Sequence, residues 1–377
     1  MSLILDEHRQ YVEDLNRVSA FRRAIQEIVK PRDIVLDLGC GTGILGLLAC
    51  EAGASRVYAI DRGDMIDVAQ SIAAANGLAD RIVHVREVST RATLPEKVDV
   101  VVADQIGEFG YQAGVLDYFE DAKRRLLKPG GATIPSYIEL WVVPVEAPEL
   151  RSQIEFWGTR PAGFDYSPAN RIAVNTGYSI SLRPAQLLAQ AGQVIVLDAT
   201  SAARFTGRVS TNIVRDGALQ GIGGWFQAQL SPRAVMTNSP LSDSRINRRN
   251  VFFPVERSFS VRKDDCVDIS FDVIPKHSIV NWTVDVRRAG ESIERFSHST
   301  LRGMLISKQS LHKTRPEFIP LLNPRGMARR SVVDLCDGKR PLCEIERQVF
   351  ERHQDLFRDP GEAQAFVAEV VSTYVKG

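Results

Sequence analysis

Apolar and polar residues follow different patterns along three parts of the chain. In the first part, short apolar runs alternate with segments of helical periodicity. Strands that alternate with helices predict a parallel sheet with helices on both faces. The predicted helices span 3–30, 42–52, 65–76 and 116–127 and the predicted strands span 34–39, 56–61, 82–87 and 98–104.

After Pro135 most of the pattern is strand-like, with partial alternation of apolar and polar residues. Eight such runs predict an antiparallel barrel or sandwich. They span 137–146, 193–199, 203–214, 221–230, 250–256, 267–274, 280–288 and 292–301. The segment 157–190 does not fit, because it contains several prolines and glycines and a short helical stretch.

The last part contains three amphipathic helical patterns, at 328–338, 342–353 and 361–375. A chain of 377 residues is long enough for two or three domains. The patterns predict domains at 1–135, 136–305 and 306–377.

Composition narrows the function classes. Lys and Arg total 47 and Asp and Glu total 46, and this balance gives no support to a nucleic-acid or anionic-membrane partner. The five cysteines form no CxxC pair, so neither a metal site nor a disulfide framework is predicted. No apolar run reaches about 18 residues, which argues against a membrane span. We therefore expect a cytoplasmic protein in a reducing compartment.

The strongest chemical signal is VLDLGCGTGILG, residues 35–46, which leaves a strand and opens a helix. Glycines there let the backbone approach a ligand, and free N–H groups at the helix start favour its polar groups. Asp37 can face an ammonium group, and Asp61 at the next strand end can accept ribose hydroxyls. The DxGxGxG spacing resembles motif I of class I methyltransferases and favours S-adenosyl-L-methionine. NAD and a ligand-free turn remain the alternatives.

Further motifs resemble the protein arginine methyltransferases. The first helix carries His8, Asp14 and Arg17 at the family's spacing, and LPEKVDVVVAD, LKPGGATIPS, WGTRPAGFDYS and SPLSDSRINRRNVFF are similar to family segments. The resemblance runs from about residue 8 to 304. It implies a Rossmann-like methyltransferase domain, then an antiparallel β-barrel with a helical dimerisation arm at about 157–190. A homodimer follows from the same resemblance.

The resemblance also assigns roles to individual residues. It implies that Arg17 pairs with the cofactor carboxylate and that Val88 and Ser89 contact adenine. The predicted cofactor-binding residues are Arg17, Asp37, Gly39, Cys40, Gly41, Gly43, Asp61, Val88 and Ser89.

The acceptor loop departs from the family, which carries two glutamates after the fourth strand. Alignment on Gly107 and Leu116 puts Asp104 at the first glutamate and Ala113 at the second. We predict Asp104 as the catalytic residue, with Glu108 as a second candidate. The alternatives are roles without catalysis. Asp104 could be a carboxylate that caps local backbone at a strand end, and Glu108 could be an acid in a loop exposed to solvent.

The family's Thr-His-Trp loop aligns with 245–247, which reads Arg-Ile-Asn here. Arg245, Arg248 and Arg249 form a cluster that could bind an anionic substrate or an RNA phosphate. The alternative is that they belong to a basic loop that is simply exposed to solvent. The last 55 residues resemble PqqD-like peptide-recognition modules, with a helical extension as the alternative.

The predicted function is methyl transfer from S-adenosyl-L-methionine to nitrogen or oxygen of a peptide, protein or small-molecule acceptor. Two alternatives remain. One is an inactive cofactor-binding scaffold or partner subunit. The other is a ribosomal-peptide-modifying methyltransferase whose C-terminal module recognises the leader.

Overall fold

The computed structural model describes residues 4–198, 203–305 and 307–375. Its contacts divide the chain into two compact units, Met1–Met304 and Leu305–Gly377. Among the described residues, no helix combines the length and the apolar composition needed to cross a membrane.

The first unit begins with two helices, α1 (Ile4–Glu13) and α2 (Leu15–Ile28), where the sequence predicted one over 3–30. The break falls at Asp14, whose side chain accepts the backbone N–H of Arg17 at 3.1 Å. Aspartate is a favoured N-cap, because its carboxylate satisfies a donor that the first turn leaves free. The prediction of a single helix was therefore wrong at this position.

A five-stranded parallel sheet follows, in the order β3-β2-β1-β4-β5. The strands are β1 (Ile34–Leu38), β2 (Arg56–Asp61), β3 (Ile82–Arg86), β4 (Val98–Ala103) and β5 (Leu127–Ile134). The helices between them are α3 (Ile44–Glu51), α4 (Met65–Ala75) and α5 (Val115–Arg125). The order reverses between β1 and β4, where Leu38 pairs with Ala103. In open α/β sheets, ligands bind outside the carboxyl ends of the strands at such a switch point.

Strand β5 is not among the predicted strands, because its residues Lys128-Pro129-Gly130-Gly131 are typical of a turn. The strand contains all four residues and pairs parallel to β4. The pairing register shifts between Val98 and Val100, and such an irregularity lets a strand accommodate Pro and Gly.

Two antiparallel sheets complete the first unit. One has the order β7-β12-β10-β6-β8 with β11 beside β10, and the other has the order β15-β14-β13-β9. Their strands are β6 (Tyr137–Val145), β7 (Tyr178–Ile180), β8 (Gly192–Asp198), β9 (Phe205–Asn212), β10 (Gly217–Ser231), β11 (Ala234–Thr237), β12 (Asn250–Val261), β13 (Cys266–Ile274), β14 (Ile279–Arg288) and β15 (Glu291–Ser299). Phe253 of one sheet packs against Phe271 and Trp282 of the other, with ring centroids 5.1 and 5.3 Å apart. The two sheets therefore share one apolar core. The predicted run 193–199 ends at Ala199, which lies outside the described residues.

Between β6 and β7 the chain forms α6 (Pro148–Glu155) and α7 (Ser167–Ala173), joined by two 3₁₀ turns. This region includes part of the irregular segment of the prediction. Four of its aromatic side chains are exposed to solvent: Phe156, Trp157, Phe164 and Tyr166. The first unit ends with the short helix α8 (Thr300–Gly303).

The second unit is helical in its described part, with α9 (Lys308–Lys313), α10 (Pro324–Leu335), α11 (Leu342–Arg352) and α12 (Pro360–Tyr374). Helices α10, α11 and α12 correspond to the three predicted amphipathic patterns. They enclose a small apolar core of their own around Val332, Val349 and Val367.

Candidate active site

The glycine loop leaves β1 and enters α3 with three backbone conformations that glycine favours. The φ angles of Gly39, Gly41 and Gly43 are +68°, +54° and +82°. A Cβ on Gly39 would lie 1.8 Å from the Nε2 atom of Gln105, and one on Gly41 would lie 2.7 Å from the His8 ring. Glycine is therefore required here by backbone conformation and by close neighbours.

Asp37 lies beneath this loop and is completely buried. Its Oδ2 accepts the backbone N–H of Gly46 at 2.8 Å, whereas Oδ1 has no hydrogen-bond partner among the described residues. Burial raises the pKa of Asp37 to about 7. A buried carboxylate oxygen without a hydrogen bond costs folding free energy, so a cationic ligand group here would supply the missing partner of Oδ1.

Asp61 ends β2 and connects the loop to the neighbouring strand. Its Oδ2 accepts the N–H of Gly41 at 3.0 Å and its Oδ1 accepts the N–H of Gly63 at 2.8 Å. An ionised carboxylate has about four acceptor positions, so two remain for hydroxyl donors. Asp61 can therefore hold the loop and a ribose simultaneously.

A cavity of about 110 Å³ brings several of the predicted cofactor residues together. It is lined by Gly39, Ile60, Asp61, Arg62, Glu87, Val88, Ser89, Gln105 and Tyr118. Four of these were predicted, and the other five, Ile60, Arg62, Glu87, Gln105 and Tyr118, were not. The Oε1 atom of Glu87 accepts the N–H of Val88 at 2.7 Å and so fixes the start of this loop.

Cys40 contributes to the loop through its backbone. Its N–H donates to the carbonyl of Ile60 at 3.1 Å. Burial, reinforced by the charges of Asp37 and Asp61, raises the pKa of the Cys40 thiol far above its usual value. The side chain is therefore a neutral thiol and no nucleophile.

Asp104 directly follows β4, and two arginines hold its carboxylate. Arg17 Nε donates to Asp104 Oδ2 at 2.5 Å. Arg248 donates from Nη1 to Oδ1 at 3.1 Å and from Nη2 to Oδ2 at 2.9 Å. The exposed fractions of the Arg17, Asp104 and Arg248 side chains are 6%, 6% and 12%, so solvent screens this cluster weakly.

The charges of this cluster fix its protonation states. Burial alone would raise the pKa of Asp104, but the charges of Arg248 and Arg17 outweigh burial and lower it. Burial would likewise lower the pKa of Arg248, and Asp104 reverses that effect. Asp104 is therefore an ionised carboxylate and a weak base.

The two residues predicted for cofactor and acceptor thus contact each other. Arg17 also donates to the backbone carbonyl of Tyr11 at 2.8 Å, and both guanidinium groups lie within 6 Å of the Tyr11 ring. The sequence did not single out Tyr11 or the pairing of Arg248 with Asp104.

Glu108 lies close in sequence, but its side chain serves another cavity. Its Oε1 accepts the hydroxyl of Ser179 at 2.6 Å. That cavity, of about 340 Å³, is lined by Glu108, Tyr111, Gln112, Gly177, Tyr178, Ser179, Val251, Phe253, Pro275, Ser278, Val280 and Thr300. The structure therefore does not bring the two predicted catalytic acids into one group.

Comparisons with known proteins match two consecutive parts of the chain. Residues 22–139 match the family described as ribosomal protein L11 methyltransferase (PrmA). Residues 138–287 match the arginine methyltransferase oligomerization subdomain.

Individual relatives carry arginine methyltransferase names. The chain is 34% identical over 170 residues to "Probable protein arginine N-methyltransferase 6" of Arabidopsis thaliana, covering 44% of this chain and 39% of that protein. It is 34% identical over 171 residues to protein arginine N-methyltransferase 1 of Dictyostelium discoideum, covering 44% and 50%. With protein arginine N-methyltransferase 1 of Chlamydomonas reinhardtii the identity is 27% over 280 residues, covering 71% and 80%. The first two matches thus span half or less of the relatives' length.

Solved structures share the fold at low sequence identity. The Trypanosoma brucei PRMT1 enzyme–prozyme heterotetrameric complex with AdoHcy has a TM-score of 0.71 at 18% identity, covering 78% of this chain and 96% of that chain. Arabidopsis thaliana protein arginine methyltransferase 10 has a TM-score of 0.68 at 21% identity, covering 78% and 98%. The predicted fold class, a Rossmann-like methyltransferase domain followed by a β-barrel domain, is confirmed. The predicted resemblance to protein arginine methyltransferases is likewise confirmed.

Proposed function

We propose that this chain, a relative of the protein arginine methyltransferases in sequence and fold, is an S-adenosyl-L-methionine-dependent methyltransferase. The observation that carries the proposal is the glycine loop at the switch point of the parallel sheet. The buried Asp37 lies beneath this loop, and Asp61 lies beside it. The AdoHcy in the Trypanosoma brucei complex supports the same cofactor class.

Each part of this site suits a different part of such a cofactor. Asp37 would offer its unpartnered oxygen to the ammonium group, and Asp61 would accept the ribose hydroxyls. Val88 and Ser89 line the cavity next to Asp61 and would border the adenine. Arg17 would exchange part of its contact with Asp104 for the cofactor carboxylate, which matches a guanidinium bidentately.

The cofactor, when bound, supplies a methyl group on a sulfonium. The residues of the chain then bring the acceptor atom into line and exclude water, which accounts for much of the rate in such displacements. We place Asp104 at the acceptor, because it follows β4 directly beside the loop. Glu108 stays a second candidate, through the separate cavity that it lines. The acceptor class is nitrogen or oxygen of a peptide, protein or small molecule.

Cofactor binding is tested by calorimetry with S-adenosylhomocysteine and the full chain. We expect Asp37→Ala and Asp61→Ala each to weaken binding by about tenfold or more, since each removes a charge-assisted contact. The exposed Asp80 offers a matched control, and Asp80→Ala should bind as the parent does. Failure of the parent chain to bind the ligand would contradict the proposal.

A second candidate function is an inactive partner subunit. The observation that favours this function is that Arg17 and Arg248 both bind the Asp104 carboxylate. Because of these contacts, Asp104 is a weak base. Methyl-labelled cofactor separates the two functions. Methyl transfer by the parent chain supports the enzyme, and tight cofactor binding with no product favours the partner subunit.

For the assembly we propose a homodimer in which α6, α7 and the turns between them contact a second copy. The match of residues 138–287 to an oligomerization subdomain supports this, and so do four exposed aromatic side chains on that segment. We expect light scattering to give the mass of a dimer for the parent chain. Phe164→Ser, at a side chain 68% exposed, should shift the equilibrium to the monomer without loss of folded structure.

For the second unit we propose recognition of a peptide substrate outside the active site. The unit has its own core, and Ile319 and Leu321 next to α10 are 81% and 90% exposed. Deletion of 320–377 should abolish turnover of a long peptide and spare turnover of a minimal one.

A cytoplasmic setting suits the five free cysteines of the chain.

A further inference from the structure

Three arginines lie between β11 and β12 and line a cavity of about 660 Å³ beside the Asp104 cluster. Arg248 reaches inward to Asp104, whereas Arg245 and Arg249 are exposed. Within the described part of the chain, neither exposed arginine has an ion-pair partner. Four asparagines belong to the same lining, and the Nδ2 groups of Asn16, Asn238 and Asn250 already donate to backbone carbonyls.

The acids near this cavity are already engaged. The two carboxylate oxygens of Asp14 accept the backbone N–H groups of Arg17 and Asn247. Glu13 pairs with Arg9 at 2.6 Å, and Asp104 is held by Arg17 and Arg248. Hydrogen bonds to backbone N–H groups leave Asp14 charged, so three arginines of the lining face two acids, and the lining carries one net positive charge.

The basic segment is a fixed part of the fold. Ile246 is buried and its N–H donates to the carbonyl of Thr237 at 2.9 Å. The N–H of Asn247 donates to Asp14 at 2.6 Å, and Asn238 Nδ2 donates to the carbonyl of Arg249 at 2.6 Å. The backbone on both sides of Arg248 is thus held by hydrogen bonds to other segments of the fold.

We propose that the acceptor of this site is a carboxylate, which the chain converts to a methyl ester; this rests on the proposed methyltransferase function. Arg245 and Arg249 would attract the acid, and the bidentate contact with Arg248 leaves Asp104 little capacity to bind a cation. A bound cofactor would neutralise Arg17 through its carboxylate, but the two exposed arginines would stay positive. A guanidinium acceptor would be repelled by the positive charges of Arg245 and Arg249, and it would find Asp104 already paired with Arg248.

The chemistry of this reaction agrees with the site. A lone pair on the acceptor carboxylate oxygen forms a bond to the methyl carbon. The carbon–sulfur bond breaks, and its electron pair stays on the sulfur, which becomes a neutral thioether. No proton leaves the acceptor, so the weak basicity of Asp104 is no obstacle. Hydroxyl and guanidinium acceptors would each require a proton to be removed.

The test uses three acetylated, amidated peptides that differ only at a central Glu, Gln or Arg, together with glutarate. Calorimetry on the full chain loaded with S-adenosylhomocysteine gives their affinities. We expect the Glu peptide or glutarate to bind about tenfold more tightly than the Gln and Arg peptides. Which of the two binds tells whether the acid belongs to a peptide or a small molecule. With methyl-labelled cofactor, the product should release labelled methanol in alkali, because esters hydrolyse and methylated nitrogen does not.

Variants identify the arginines responsible. Arg245→Gln with Arg249→Gln should abolish the preference for the acid, whereas lysine at both positions should retain it. Arg208→Gln, at an exposed arginine of β9, is the control and should change nothing. Equal, reversed or unmeasurable affinities of the parent chain for the acid and Arg ligands, or an alkali-stable label, would overturn the inference. Failure to bind S-adenosylhomocysteine would instead remove the proposed function itself.

Discussion

Arg248 forms a bidentate pair with Asp104, from a position 144 residues further along the chain. The pair places a guanidinium of the chain itself on the carboxylate that sequence alignment assigns to the acceptor. Both side chains are nearly buried, so removal of either partner would leave an uncompensated buried charge.

Replacing Asp104 by Asn should destabilise the chain. The substitution leaves Arg17 and Arg248 facing each other without an intervening charge, and removal of one partner of a buried pair costs about 3–5 kcal/mol. Denaturant unfolding at pH 7 measures the loss. Asp80→Asn, at an exposed acid, should stay within about 0.5 kcal/mol of the parent.

The pH dependence of that loss has a defined sign. The folded chain holds the pKa of Asp104 below the value of an unfolded aspartate, about 3.9. The stability from this carboxylate is therefore present above about pH 4 and lost as pH falls through the folded pKa. The difference between the parent and Asp104→Asn should be constant from pH 6 to 8 and shrink below pH 4. A difference that already shrinks between pH 7 and 5 would contradict the assignment.

Replacing Arg248 by Met should change which acceptors the site tolerates. Asp104 would keep only Arg17, and one positive charge would leave the site, so the Arg peptide should gain about tenfold in affinity. Arg248→Lys should not produce this gain, because it keeps the charge. Calorimetry with the Arg and Gln peptides measures the change, and an equal gain for both peptides would show a loosened cavity instead.

Cofactor affinity should depend on pH through Asp37. Burial raises the pKa of Asp37 to about 7, whereas an unfolded aspartate titrates near 3.9. The contribution of Asp37 to stability therefore falls as pH rises from about 4 to 7 in the free protein. An ammonium ligand favours the ionised form, so S-adenosylhomocysteine should bind more tightly at pH 8 than at pH 6. Asp37→Asn should flatten this profile and weaken binding, and Asp80→Asn should leave the profile unchanged.

Local sequence signals predicted those residues of the site that lie at a strand end or in the turn directly after it. The glycines, Asp37 and Asp61 lie at or near the ends of two strands, and a parallel sheet places those ends together. Asp14 shows where a signal was present but unused, because an aspartate before a new apolar period marks a helix start.

The remaining contacts depend on tertiary structure. No periodicity connects Arg248 to Asp104 or Gln105 to Gly39, since each pair joins segments that are distant in sequence. Strand β5 was missed because Pro129-Gly130-Gly131 is typical of a turn, and pairing with β4 overrides that preference. The direction of the Glu108 side chain, which lies in the loop after β4, is likewise set by Ser179 of β7.

The glycine loop offers a prediction with a matched control inside the same domain. Gly41 and Gly77 have φ angles of +54° and +68°, so alanine at either position costs about 1–2 kcal/mol of backbone strain. A Cβ at position 41 would also meet the His8 ring at 2.7 Å, whereas one at position 77 has nothing within 4 Å. We expect Gly41→Ala to lose at least as much stability as Gly77→Ala, and only Gly41→Ala to lose more than about tenfold in affinity for S-adenosylhomocysteine. Thermal unfolding and calorimetry on the same samples separate the two effects. Equal losses of affinity in both variants would mean that the loop acts through general stability and does not contact the ligand.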